Sequence, residues 1–376
     1  ADFARFQPYL EKIVAYNRKF AELWGYEEHP YNALLDDYEP GMTVRKLDQL
    51  FSQVREEIVP LVAHVKNSPQ PDVSFLKQSF SKEQQRELSL YILKEMGYDF
   101  EAGRLDETEH PFAIGLNPRD VRVTTRFKPD DLLFALSSTI HEGGHALYEQ
   151  NIAMELAGTP LAEGASYGIH ESQSRFWEIF VGMSRPFWNR YLPELKRIFH
   201  GQLDDVTVDQ FYRAINKAEP SLIRIEADEL TYNLHIMIRY EIEKQLIAGQ
   251  IEVKDLPQIW NDKYEEYLGI RPSHDGEGVL QDVHWSGGSF GYFPTYSLGN
   301  MYAAQICAKI KQELPNFTEL LERGELAPIK AWLSDRIHRH GMMMKPEQFI
   351  QQVTGEELDA RYLVEHLKTK YGELYS

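Results

Sequence analysis

Apolar residues recur every three to four positions along most of this chain, the spacing that gathers them on one face of an α-helix and leaves the other face polar. The pattern predicts helices from Phe3 to Trp24, Val44 to Asn67 and Lys82 to Met96, with Pro30, Pro40, Pro69 and Pro71 marking the connections. It changes between Phe112 and Phe127. There Phe112-Ala113-Ile114 runs into the turn-forming pair Asn117-Pro118, and Val121, Val123 and Thr125 alternate with Arg122, Thr124 and Arg126, a period of two that predicts strand. Helical spacing returns over 130–156, 168–184, 186–202, 207–247, 255–267, 290–313 and 316–323, and helices near 326–338, 346–353 and 356–372 close the chain. No repeat, low-complexity tract or long linker interrupts it. The expected fold is mainly α, a single helical domain over 1–376 with a helical shell at 1–100, a core at 101–376 and one small β-sheet near residues 112–127.

Composition narrows the partners. Lys and Arg number 40 against 58 Asp and Glu, a formal net charge of −18, which disfavours nucleic acid or an anionic membrane as a partner. Cys307 is the only cysteine, so no intrachain disulfide can form and a reducing compartment fits best. The sequence lacks a run of about 18 apolar residues, and Ala1-Asp2-Phe3-Ala4-Arg5 has no signal-peptide core. The expectation is a soluble cytoplasmic protein.

The chemistry concentrates in His141-Glu142-Gly143-Gly144-His145. On a helix, histidines four residues apart share a face, so both imidazoles can reach one zinc-like ion with Glu142 beside the ion's open position. Asp130 and Asp131, after Pro129 and before Leu132-Leu133-Phe134, read as the acidic start of that helix. Gly143 and Gly144 in its interior cost about 1 kcal/mol each relative to Ala, which suggests something lying close to the backbone there, such as a substrate chain. A hydrolytic site needs a third protein ligand. Glu149 shares the face of His145 but lies a further turn, about 5.4 Å, along the axis. Glu155 and Glu163 fall in a Gly/Pro-punctuated connection, and Glu171 and Glu178 on the next helix are both within reach, with spacing favouring Glu171.

Six separated segments together resemble the Taq-type metallocarboxypeptidases: His110-Pro111-Phe112, Asp120-Val121-Arg122-Val123-Thr124, the His141 to His145 run, His170-Glu171-Ser172-Gln173, Ile223-Arg224-Ile225-Glu226-Ala227-Asp228, and Gly278-Val279-Leu280-Gln281-Asp282-Val283-His284-Trp285. The resemblance implies a large helical, zincin-like body around a substrate groove, with His141, His145 and Glu171 as metal ligands and Glu142 as general base. It further implies one divalent ion per chain (Zn2+, with Co2+ as a second choice), a homodimer, and broad-specificity release of C-terminal amino acids through a metal-activated water. Family members usually carry roughly another hundred helical residues upstream. A dipeptide-releasing or endo-acting oligopeptidase with the same metal site, and a non-catalytic metal- or peptide-binding module, are the rival readings.

Other residues are candidates for the remaining chemistry. His284, Tyr292 and Tyr296, around a glycine-rich turn, have the spacing of donors that helical zinc peptidases place around the scissile carbonyl, where a charged oxygen develops. A peptide with a free C-terminus calls for an arginine. Arg224 leads, on an expected helix with Asp228 to orient it, and Arg271 follows. Arg122 and Thr124 lie on the expected strand, where an exposed edge can accept an extended peptide; an Arg122–Asp120 ion pair is the alternative. His110-Pro111-Phe112 reads as a structural corner, His235 and Glu241 as packing and ion-pair residues, and Met342, Met343 and Met344 as core or groove wall.

Overall fold

The computed structural model describes residues 1–376. Its helices are α1 (Phe3–Trp24), α2 (Tyr31–Asp36), α3 (Val44–Lys66), α4 (Lys82–Met96), α5 (Leu132–Gln150), α6 (Tyr167–Arg175), α7 (Arg185–Ile198), α8 (Val208–Ile215), α9 (Glu229–Ile247), α10 (Leu256–Leu268), α11 (Pro294–Glu313), α12 (Phe317–Arg323), α13 (Ala327–Arg336), α14 (Pro346–Thr354) and α15 (Arg361–Leu374). The strands are β1 (Leu105–Glu107), β2 (Phe112–Asn117) and β3 (Asp120–Thr125). The fold is therefore mainly helical with one small sheet.

The chain divides into two compact units. The first comprises Ala1–Pro69, Ala218–Leu298 and Asp359–Ser376; the second comprises Gln70–Lys217 and Gly299–Leu358. Within the first, α9 is the central helix, contacted by α1, α3 and α10. Nearly every α9 residue from Leu230 to Ile247 is buried, the polar Asn233, His235, Arg239 and Glu243 among them. Within the second, α5 is central, with α4, α6 and the sheet against it.

The expected helix over 207–247 is broken. After α8 the chain leaves helical conformation, takes one 3-10 turn at Arg224–Glu226 and re-enters at α9. Pro220 explains the break, because it has no N–H to donate and disfavours helical geometry at Glu219. Asp228 then caps α9, accepting from the Leu230 and Thr231 amides at 2.9 Å each. Asp228 therefore serves the helix start, and Arg224 stands on a short turn before it, in place of the helix and Asp228 partnership expected from sequence. The short helix α2 was not foreseen, since six residues carry too little periodicity to register.

In the sheet the strand order is β1-β3-β2. β2 and β3 form an antiparallel hairpin around Asn117-Pro118, with a bulge between Gly115 and Asn117, and β1 pairs parallel to β3. β3 is consequently the middle strand, paired on both sides, so the expected open edge at Arg122 and Thr124 is absent; β2 is the outer strand. Thr124 is buried and its hydroxyl meets Thr108 and the Phe112 amide. Arg122 makes a two-point ion pair with Asp120, at 2.9 and 2.8 Å.

Candidate metal centre

The centre is built in the second unit from two helices and the segment that extends the second. Asp131 starts α5, accepting from the Phe134 amide at 3.0 Å. Ser166 starts α6, accepting from Ile169. After α6 the backbone loosens into a buried π-helix, Phe176–Gly182, whose wider turn carries Glu178.

Two glycines of the His141 to His145 run let these helices close. A Cβ at Gly144 would fall 2.6 Å from both the Gln173 carbonyl oxygen and the Ser174 Cα, so α6 backbone lies directly against α5. A Cβ at Gly143 would meet the Leu93 and Met96 side chains of α4. What lies close to the backbone here is the protein's own packing rather than a substrate chain. Gly299 of α11 provides a third close approach, against the Glu171 side chain.

The result is a converging donor set. His141 Nε2 is 3.6 Å and His145 Nε2 3.3 Å from Glu171 Oε2, and the three ligand atoms lie within 4.8 Å of one another. Donors about 2.1 Å from a zinc-like ion in a tetrahedral array stand roughly 3.4 Å apart, close to the two distances from Glu171 Oε2 to the imidazoles. Both imidazoles keep a minority of their surface open, 19% and 17%, as a site that admits water requires.

Each ligand has a partner behind it. His141 Nδ1 lies 2.8 Å from Glu178 Oε2. With the proton on Nδ1 it donates to that carboxylate and leaves the Nε2 lone pair for an ion. Arg175 donates from Nε to Glu171 Oε1 at 2.8 Å and from Nη1 to Glu178 Oε2 at 3.2 Å. Ser137 donates to Glu178 Oε1 at 2.6 Å. His145 Nδ1 faces His170 Nδ1 at 2.6 Å. Glu149, a rival ligand by spacing, meets His170 Nε2 at 2.6 Å.

The field favours a cation. Burial opposes charge on His141, yet the Glu171 and Glu178 carboxylates raise its pKa to about 9. Burial likewise opposes ionisation of Glu171, but His141 and Arg175 hold it far below the usual carboxylate range. Glu178 is held at about 2 against burial by Arg175 and His141. His145 falls to about 4, chiefly through burial. Glu142 goes the other way: burial pushes it up to about 7, opposed by His141 and reinforced by Glu171 and Glu178.

Of the other sequence candidates, Arg122 lies in the second unit, on β3, while His284, Tyr292, Tyr296, Arg224 and Arg271 lie in the first. His284 Nε2 and the Tyr296 hydroxyl are 3.1 Å apart, and the rings of Tyr292 and Tyr296 stand 5.3 Å apart. Arg224 is buried, donating from Nε and Nη2 to Asp282 Oδ1 at 2.9 and 2.8 Å and from Nη1 to Tyr232. Arg271 is half-exposed and paired with Asp262 and Glu265. Sequence reasoning missed Arg239, which is fully buried beneath Asp282 and donates from Nε to Oδ2 at 2.7 Å. Its position within Ile236-Met237-Ile238-Arg239-Tyr240, a charge inside an apolar run, was the available signal. It also missed Arg175, signalled only by the i,i+4 spacing from Glu171.

Comparison with known proteins agrees with the geometry. The family described as carboxypeptidase Taq (M32) metallopeptidase matches residues 1–371. Carboxypeptidase 1 of Bacillus subtilis is 56% identical over 376 residues, a match covering 100% of this chain and 75% of that protein. Thermostable carboxypeptidase 1 of Thermus thermophilus is 45% identical over 384 residues, again covering 100% and 75%. The crystal structure of the M32 carboxypeptidase from Deinococcus radiodurans superposes with a TM-score of 0.98 at 41% identity, covering 100% of this chain and 76% of that one. A match that runs nearly end to end and a triad of metal-ligating side chains brought together lead to one assignment: the chain belongs to the carboxypeptidase Taq (M32) metallopeptidase family.

Proposed function

We propose that this metal-dependent carboxypeptidase removes C-terminal residues one at a time from peptides, with broad tolerance for the side chain released. The observation that carries the reading is the convergence of His141, His145 and Glu171, with the buried Glu142 next to His141 in sequence. A divalent ion held there, zinc first and cobalt second by the family resemblance, would supply Lewis acidity and bring the pKa of water toward about 7.

Glu142 takes a proton from the attacking water and later returns it to the leaving amine. Burial, with Glu171 and Glu178 nearby, raises its carboxyl above the usual range, which favours its holding a proton between the two transfers. His284, Tyr292 and Tyr296 supply donors for the oxygen that becomes negative, a role supported by their mutual contact. Among the arginines, Arg224 is favoured for the substrate carboxylate. It and Arg239 share the single carboxylate of Asp282, which leaves one positive charge over. Arg271 and Arg122 are each already matched by nearby acids.

A cytoplasmic homodimer completes the proposal. The acidic surface charge and the single cysteine favour the compartment, no helix is long and apolar enough to cross a membrane, and the dimer rests on the resemblance alone.

Time-resolved mass spectrometry of one peptide, as free acid and as C-terminal amide, with zinc or cobalt added or chelated, tests the reading. Stepwise single-residue loss from the free acid alone is expected. Cuts inside the amidated peptide would assign an oligopeptidase, and an inert chain with metal bound would assign a binding module.

A further inference from the structure

His170 stands beside the ligand Glu171 but holds no ligand position, and Glu149 lies one turn past His145; neither has a role in the chemistry above. Their geometry is nonetheless tightly specified. His170 Nδ1 is 2.6 Å from His145 Nδ1, and its Nε2 is 2.6 Å from Glu149 Oε1. The His170 ring lies against the His145 ring, centroids 4.7 Å apart, and against Tyr148 at 5.1 Å. Two glycines make room for the pair. A Cβ at Gly164 would fall 2.7 Å from His170 Cδ2, and one at Gly115 would fall 2.6 Å from Glu149 Oε2.

Resting on the metal-centre reading, we propose that His170 and Glu149 are positioning residues forming a one-way hydrogen-bond relay that aims His145 Nε2 at the ion. Between two facing Nδ1 atoms one proton can sit. A carboxylate at Glu149 only accepts, so the relay has a neutral His170 with its proton on Nε2 and its Nδ1 as acceptor. His145 therefore holds its proton on Nδ1, and its Nε2 lone pair is left toward Glu171 and His141. The two histidine ligands thus reach the same tautomer by different means, His141 against a carboxylate directly and His145 through an intervening imidazole.

The test uses the full chain, with cobalt affinity read by competition against a chromophoric chelator and the visible cobalt spectrum recorded in parallel. His170→Phe keeps an aromatic ring beside Tyr148 but no acceptor, while His170→Gln keeps an acceptor oxygen and loses the ring. The relay predicts a loss of affinity of roughly 10- to 100-fold and shifted cobalt bands for Phe, with Gln restoring most of both. Affinity unchanged in His170→Phe, or Gln as impaired as Phe, would overturn the relay and leave His170 a packing residue. Should His170→Phe fail to fold, Glu149→Ala against Glu149→Gln repeats the comparison: Ala weakens binding, Gln holds it, and equal affinities refute the proposal. These readouts need no peptide cleavage, so the relay can fail while the carboxypeptidase reading stands. A wild-type chain taking up no cobalt would instead remove the metal centre itself, and the relay with it.

Discussion

Arg175 Nε donates to Glu171 Oε1 at 2.8 Å, which leaves Oε2 as the oxygen turned toward His141 and His145. One ion pair thereby decides which atom of the carboxylate is offered to a metal. The same guanidinium also reaches Glu178, so Arg175, together with His141, holds two acids that would otherwise repel.

Replacing Arg175 with Met should leave both carboxylates buried without their cation, a change of the class that costs about 3 to 5 kcal/mol. The loss is expected to be larger in the metal-free protein, because a bound divalent ion supplies part of the missing positive charge. Thermal unfolding of Arg175→Met with and without zinc checks this. Equal destabilisation in both states would show that Arg175 acts on the fold alone.

Gly144 and Gly143 should differ sharply on conversion to Ala. At Gly144 the new methyl meets α6 backbone, which can yield only by moving the helix that carries Glu171. At Gly143 it meets the ends of Leu93 and Met96, which can turn away. Gly144→Ala is expected to cost about 1 to 3 kcal/mol and to weaken metal uptake. Gly143→Ala should retain affinity. Cobalt titration of both variants decides, and equal affinities would contradict the close-approach account.

Much of this was legible in the residue order. The start and end of α1 and α4, the hairpin around Asn117-Pro118 and the Asp131 start of α5 follow from periodicity and local turn chemistry, which act over a few residues. So did the geometry of His141 and His145, since spacing on a helix is fixed. What sequence concealed was long-range. That β3 is the middle strand depends on β1, three residues with no alternation to read. That Glu178 backs His141 while Glu171 faces both imidazoles depends on the π-helix and on the distance at which α6 meets α5. Arg224 was assigned a neighbour in sequence, Asp228, when its partner Asp282 lies 58 positions away.

Glu142→Gln should separate binding from turnover. Glu142 is not among the three converging ligand atoms, so the amide should leave metal affinity within a few-fold of wild type. Gln cannot take up a proton, and hydrolysis should fall by roughly 10²- to 10⁴-fold. Single-turnover cleavage of a free-acid peptide by metal-loaded protein measures it. Comparable rates for the two proteins would remove Glu142 from the reaction.

Acid stability of the first unit should depend on Glu229. Burial alone would raise this carboxyl, but Lys370 and His366 hold it at about 2 against an ordinary 4.5. Lys370 Nζ lies 2.5 Å from one oxygen and His366 Nε2 2.5 Å from the other. A depressed folded-state pKa means the folded form holds fewer protons than the unfolded form between those two values. Stability from the carboxylate is therefore complete above pH 4.5 and drains away as pH falls toward 2. A shift of this size corresponds to about 3 kcal/mol. Denaturant unfolding of wild type and Glu229→Gln at a series of pH values should show the wild-type advantage shrinking across that window. An advantage that persists undiminished at pH 2 would mean that packing, and not charge, is what Glu229 contributes.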